Sequence, residues 1–245
     1  MRSENEGISL IYTGFSPSLN VAYQVDQKKF KYISRRVHVD VQAYYPSEGA
    51  LLPGRIFSEI KKALNHGAVL FLAPRKGYGN ALLCSHCRNV AYCDCGGRLS
   101  VASKLEAPTC VHCGVSHSPW KCRFCGRDKQ YLAGRGIDRA AEEISRAFPG
   151  YPVVISAGDV IKSSVEAKPS LVLSTPGAQP IIPGGYQAVV ILDAMRFFSH
   201  TDINGQERAR ELIFETASLI QEKGRVLIVL DEVHPIVASV ARWNV

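Results

Sequence analysis

Ala188-Val189-Val190-Ile191-Leu192-Asp193 is a short apolar run that ends on an acid. Such a run, rich in β-branched residues, suits a strand covered on both faces. Val226-Leu227-Ile228-Val229-Leu230-Asp231 has the same form, and Ala68-Val69-Leu70-Phe71-Leu72-Ala73 is a third instance. Tyr151 to Ser156 and Leu171 to Ser174 are shorter strand candidates. Helical patterns separate them. Arg55 to His66 sets Ile56, Ile60 and Leu64 on one face, with Pro53-Gly54 in front and Gly67 as the stop. Asp138 reads as the N-cap of a helix ending near Phe148-Pro149-Gly150. A long helix from about Gln206 to Lys223 reads as stopped by Gly224. Strands alternating with helices predict an α/β fold with a mainly parallel sheet. Residues 1–50 carry weaker patterns, with one strand expected at Ile8 to Tyr12 and another near Val37 to Ala43.

The alternation breaks between about Leu83 and Tyr131, where Gly, Cys and basic residues replace the apolar runs. All eight cysteines lie there in four close pairs: Cys84/Cys87, Cys93/Cys95, Cys110/Cys113 and Cys122/Cys125. A C-x2-C turn presents two sulfurs on one side, and two such knuckles close a tetrahedral thiolate site for structural zinc. Eight cysteines therefore predict two zinc ions per chain. Count alone leaves the pairing open. A nested order joins Cys84, Cys87, Cys122 and Cys125 in one site and Cys93, Cys95, Cys110 and Cys113 in the other. A sequential order joins the first two pairs and then the last two. Cys93-Asp94-Cys95 is one residue short of a normal knuckle, so a distorted site is expected there. His86 and His112 sit inside knuckles and read as bystanders, since four sulfurs already satisfy each ion.

The formal net charge is +7, and its distribution is uneven. Between Arg75 and Arg139, eleven Lys and Arg face four acids, so this segment carries the whole excess. A local basic patch favours a polyanion partner, most simply nucleic acid. Arg88, Arg98, Lys121, Arg123, Arg127 and Lys129 are the candidates for phosphate contacts, acting as point charges without base specificity. The chain has 245 residues, 46% of them hydrophobic, enough for a real core. Its charged N-terminus is unlike a signal peptide, and no apolar run approaches a membrane span. A cytoplasmic protein without a membrane partner is expected, in a compartment where clustered thiols hold metal more often than they form disulfides.

The sequence contains no G-x4-G-K-[ST] phosphate loop. Asp231-Glu232-Val233-His234 spells a DExH box after a buried strand. Without a phosphate loop upstream, a strand end with a coincidental acidic pair is the better reading. Gly77-Tyr78-Gly79 is too short to carry a nucleotide argument, and no catalytic triad can be assembled.

Taken together, these features resemble the C-terminal helicase lobe of the primosomal protein N′ (PriA replication-restart helicase) family, in its divergent actinobacterial form. Thr13-Gly14-Phe15-Ser16-Pro17-Ser18-Leu19 is similar to the G-S-A-T-P-S-L that closes the family's first lobe. Phe71-Leu72-Ala73-Pro74-Arg75-Lys76-Gly77-Tyr78 resembles F-L-N-R-R-G-Y. The four cysteine pairs and Phe148-Pro149-Gly150 follow in the family's order. Leu173 to Ala178 stands at the G-T-Q-M-type motif, Asp193 at a strand-ending aspartate, and Gln206-Glu207-Arg208 resembles A-E-R.

The resemblance implies a RecA-like second lobe over 51–245, the end of the first lobe and a linker over 1–50, and a zinc insert over 84–125 with nested sites. It implies DNA replication restart, on forked or single-stranded DNA, with other primosome proteins and single-stranded DNA-binding protein as partners. The family binds ATP, but its arginine-bearing Q-V-A-G-R-A-G-R is replaced here by Thr216 to Glu222. Losing an arginine set against transferring phosphate implies little or no hydrolysis. The first lobe with its phosphate loop is missing, so the chain reads as a fragment or a shortened homologue. The expected function is a zinc- and DNA-binding primosome protein without helicase activity of its own. Two rivals are an ATP-dependent 3′-5′ DNA helicase and a structural zinc ribbon that docks proteins.

Overall fold

The computed structural model describes residues 9, 11–33, 39–45, 51–74, 81–87, 89–101, 106–133, 137–198, 204–230 and 232–243. Strands β1 (Asp40–Tyr44), β2 (Val69–Leu72), β7 (Val153–Ser156), β8 (Leu171–Ser174), β9 (Tyr186–Ile191) and β10 (Ile220–Val229) form one sheet, in the order β1-β10-β9-β2-β8-β7. Every neighbouring pair runs parallel. All four residues of β2 and of β8 are buried. This is the consequence of covering a parallel sheet on both faces.

Alternate residues supply the two cores. Val69, Phe71, Leu171, Leu173 and Val190 face α2 (Ile56–Leu64) and α3 (Ile137–Ala147), which contribute Ile56, Ile60, Leu64, Ala140 and Ile144. Leu70, Leu72, Val172, Val189 and Ile228 face the opposite layer. That layer is built from α4 (Met195–Phe198), α5 (Gly205–Ala217) and α6 (Ile236–Arg242), through Phe197, Ile213, Phe214 and Val240. The result is an α/β fold of three layers.

The expected strand centred on 188–193 and the helix at 55–66 are both present, with small changes of boundary. Several expectations need correction. The helix expected to run to Lys223 ends at Ala217, and Ile220 already pairs with Tyr186 across the sheet. Gly224 does not stop a helix but lies inside β10 at a register shift, where a Cβ would stand 2.8 Å from the Tyr186 carbonyl oxygen. Asp138 occupies the first turn of α3 and does not precede it. The second N-terminal strand starts at Asp40, later than expected, while Val37 and His38 lie outside the described residues. Of the first expected strand, Ile8 and Leu10 lie outside them as well, and 11–14 adopt no strand.

The N-terminal segment carries α1 (Leu19–Asp26), capped by Ser18, whose Oγ accepts from the Val21 N–H at 3.3 Å. The Leu19 N–H donates to Glu207 Oε1 of α5 at 2.8 Å, joining two stretches that are far apart in sequence. No helix among the described residues is long and apolar enough to cross a membrane.

The cysteine-rich insert leaves the carboxyl end of β2, the central region of the sheet. It begins and ends on a two-stranded antiparallel ladder, β3 (Ala81–Cys84) with β6 (Gln130–Ala133). Inside it, β4 (Leu99–Ser100) pairs with β5 (Thr109–Cys110). It has a core of its own, formed by Leu82, Leu99, Val101, Trp120 and buried cysteines.

Candidate metal centre

Three of the four cysteine pairs use one backbone device. The N–H of the first cysteine donates to the carbonyl five residues on: Cys84 to Asn89 at 3.0 Å, Cys110 to Val115 at 2.9 Å and Cys122 to Arg127 at 2.7 Å. Each hydrogen bond folds the chain back so that both thiols of the pair emerge on one side. Gly114 and Gly126, with φ of +74° and +72°, make the left-handed step in the second and third of these turns.

The short pair closes one residue sooner. The Cys93 N–H donates to the Gly97 carbonyl at 2.8 Å, and Gly96, at φ +81°, makes the left-handed step. Gly97 then lies so close to the facing knuckle that only hydrogen fits. The expected distortion is absorbed by these two glycines and leaves the sulfur spacing intact.

The eight thiols gather in two groups of four in nested order, Cys84, Cys87, Cys122 and Cys125 in the outer group and Cys93, Cys95, Cys110 and Cys113 in the inner. Within each group the sulfurs all lie within 4.8 Å of one another. Within each group the facing knuckles meet sulfur to sulfur: Cys84 and Cys125 at 3.4 Å, Cys87 and Cys122 at 3.5 Å, Cys95 and Cys110 at 3.5 Å, and Cys93 and Cys113 at 3.7 Å. A disulfide needs sulfurs about 2.05 Å apart. Four thiolates about 2.3 Å from a central tetrahedral ion stand roughly 3.8 Å apart along each edge. The spacing fits the second arrangement.

The proton balance of each group points the same way. The Asn89 backbone N–H, then its side chain, hold the Cys87 thiol down at about 6. The Cys113 N–H, followed by that of His112, does the same for Cys110, also at about 6. Amide donors favour the thiolate that a metal requires. Their partners in each group show the opposite. Gly97 donates to Cys95 and Arg127 to Cys125, yet the crowded thiols and burial outweigh those bonds and push both up to about 12. Four thiols this close cannot all ionise without a cation among them. The donor set and the spacing therefore fit one tetrahedral metal ion per group.

Of the candidate phosphate contacts, Arg98, Lys121, Arg123, Arg127 and Lys129 are all exposed on the insert. Arg123 also meets Asp94 at 3.1 Å, tying the outer group's last knuckle to the inner group's short one. Arg88 lies outside the described residues. His86 and His112 are exposed, and neither ring nitrogen belongs to a thiol group. Sequence reasoning did not foresee that Phe124 would be 61% exposed while Trp120, four residues earlier, is buried.

The DEVH segment has a structural use for its histidine. His234 Nδ1 accepts the Ile236 N–H at 3.3 Å at the start of α6, and its ring lies 4.4 Å from that of Phe198. Asp231 lies outside the described residues, as do Gly77, Tyr78 and Gly79.

No family model matches the chain. It is 37% identical over 201 residues to the probable replication restart protein PriA of Mycobacterium leprae, and equally so to that of Mycobacterium tuberculosis. These alignments cover 80% of this chain and 31% of each relative. The replication restart protein PriA of Rickettsia felis is 21% identical over 96% of this chain and 40% of its own length. The chain thus spans about a third of the mycobacterial relatives it matches.

Proposed function

This chain belongs to the PriA family over the stretch it shares with the mycobacterial proteins, and on that premise we propose that it is a zinc- and DNA-binding primosome protein that acts in the restart of stalled replication forks. The observation that carries the reading is the coincidence of the two four-thiol groups with the basic segment, on one insert at the carboxyl end of a parallel sheet. Zinc would supply a redox-inert tetrahedral cross-link at each group. Cys84, Cys87, Cys122 and Cys125 hold the outer ion in this reading, and Cys93, Cys95, Cys110 and Cys113 the inner one. The exposed Arg98, Lys121, Arg123, Arg127 and Lys129, with Arg88, contact phosphate on forked or single-stranded DNA. Other primosome proteins and single-stranded DNA-binding protein are the proposed protein partners, in the cytoplasm.

The three-layer α/β architecture supports a RecA-like second helicase lobe over 51–245, with 84–125 as its insert and 1–50 as the lead-in. By itself this lobe does not turn over ATP in our reading. The end of α5 and the turn after it, where the resemblance calls for arginines, carry Thr216 and Ala217, both fully buried, and then Ser218. The Thr216 hydroxyl donates to the Leu212 carbonyl at 2.7 Å and accepts from Gln179 Nε2 at 3.0 Å, so it is spent on packing.

The test is charge reversal of Lys121, Arg123 and Arg127 together. DNA binding at low salt should be lost while two zinc ions stay bound. Unchanged binding would contradict the assignment of this patch. ATP turnover above background, with or without single-stranded DNA, would favour the helicase reading of this chain.

A further inference from the structure

In each of the three full knuckles the residue just before the second cysteine carries a ring: His86, His112 and Phe124. All three are exposed. Phe124 alone has no polar atom to hydrate, and its 61% exposure is not for want of a core to enter. Trp120 and Leu99 fill that core at 7% and 1% exposure. The turn holds the phenyl ring out. Cys122 N–H to the Arg127 carbonyl at 2.7 Å and Gly126 N–H to the Cys122 carbonyl at 2.8 Å close a loop whose tip is Arg123-Phe124.

Exposed cations surround this position in the chain: Lys121, Arg123, Arg127 and Lys129. An apolar protein groove that received Phe124 would have to desolvate those charges. A polyanion with accessible flat faces would neutralise them while covering the ring. Single-stranded nucleic acid is such a partner, because its unpaired bases stack on aromatic side chains while its backbone follows the cations. In a duplex the base faces are already stacked on one another.

We propose that Phe124 is a stacking platform for an unpaired base of single-stranded nucleic acid, held rigid by the outer thiol group. The His86 ring stands at the equivalent place on the opposing knuckle of the same group. This inference rests on the DNA-binding reading above and adds to it the strand state that the insert recognises.

The experiment uses the full zinc-loaded chain as wild type, Phe124→Ala and Phe124→Trp. Each is titrated with oligo(dT), oligo(U) and a hairpin duplex. Phe124→Ala should keep two zinc ions and its thermal transition, yet lose roughly 5- to 150-fold in affinity for single strands. Its duplex affinity should stay within about twofold, since phosphate contacts remain. Phe124→Trp should restore single-strand binding, and its added indole emission should be quenched on binding. The tighter of oligo(dT) and oligo(U) identifies DNA or RNA as the source of the strand. Equal losses on duplex and single strand would overturn the proposal. So would wild-type affinity of Phe124→Ala for both, which would assign the ring to a protein surface. Failure of the wild type to bind any nucleic acid would instead sink the underlying DNA-binding reading.

Discussion

Gly97 stands against the thiol of Cys110: a Cβ placed on it would lie 2.6 Å from that sulfur and 2.7 Å from the His112 Cβ. Both neighbours are held by the knuckle, so neither can retreat without moving a thiol of the inner group. The short Cys93/Cys95 pair works because its turn ends on a residue with no side chain.

Gly97→Ala should therefore disable the inner group and spare the outer one. Elemental analysis should fall from two zinc ions per chain to one, with four thiols newly titratable. Retention of two ions at wild-type affinity would show that the turn can relax around a methyl group.

Much of this was legible in the sequence, and the exceptions share a cause. Val69 to Leu72 reads as a buried strand because four consecutive apolar residues leave no face for water. Ile56, Ile60 and Leu64 read as a helix face because their spacing is local. The end of α5 could not be read this way. Leu212, Ile213, Leu219 and Ile220 keep apolar spacing past Ala217, and what halts the helix is the pairing of Ile220 with Tyr186, a contact remote in sequence. Gly185 and Gly224 make that approach possible, since a Cβ on Gly185 would meet the Gln221 backbone N at 2.6 Å. Spacing gave the thiol pairs, but not which pairs close on one another. The outward Phe124 was equally hidden, because exposure of an aromatic follows from the turn that carries it.

Metal removal should separate the insert from the lobe. The insert's core of Leu82, Leu99, Val101 and Trp120 is too small to offset the chain entropy of about forty residues. Structural zinc contributes on the order of 10 kcal/mol in such sites. The sheet has a core of its own on each face. Chelation should abolish amide hydrogen-exchange protection across 84–125 while β2, β8, β9 and β10 keep theirs. Simultaneous loss of protection in both would mean that the lobe folds only around the insert.

Arg225 on β10 joins the edge strand to a helix, with Nε 2.8 Å from Asp40 of β1 and its guanidinium also paired with Glu59 of α2. The Lys62 hydrogen bond at 2.9 Å is the largest cause holding the Glu59 carboxyl below its ordinary value, and Arg225 adds to it against burial. A lowered folded value gives stability that is present above the unfolded carboxylate pKa of about 4.3. That stability is lost as the pH falls through the folded value. Glu59→Gln should cost about 1–2 kcal/mol at pH 7. In urea unfolding, the gap from wild type should close on acidification. A gap that persists at low pH would assign the loss to packing.

A salt series of equilibrium DNA binding, run before and after chelation, probes whether the nucleic-acid surface depends on bound metal. Contacts from about five basic side chains predict a log–log slope of roughly −3 to −4 on single strands. Removing the metal should abolish binding at every salt concentration. Absence of binding even at low salt, or binding indifferent to chelation, would rule out a metal-dependent surface.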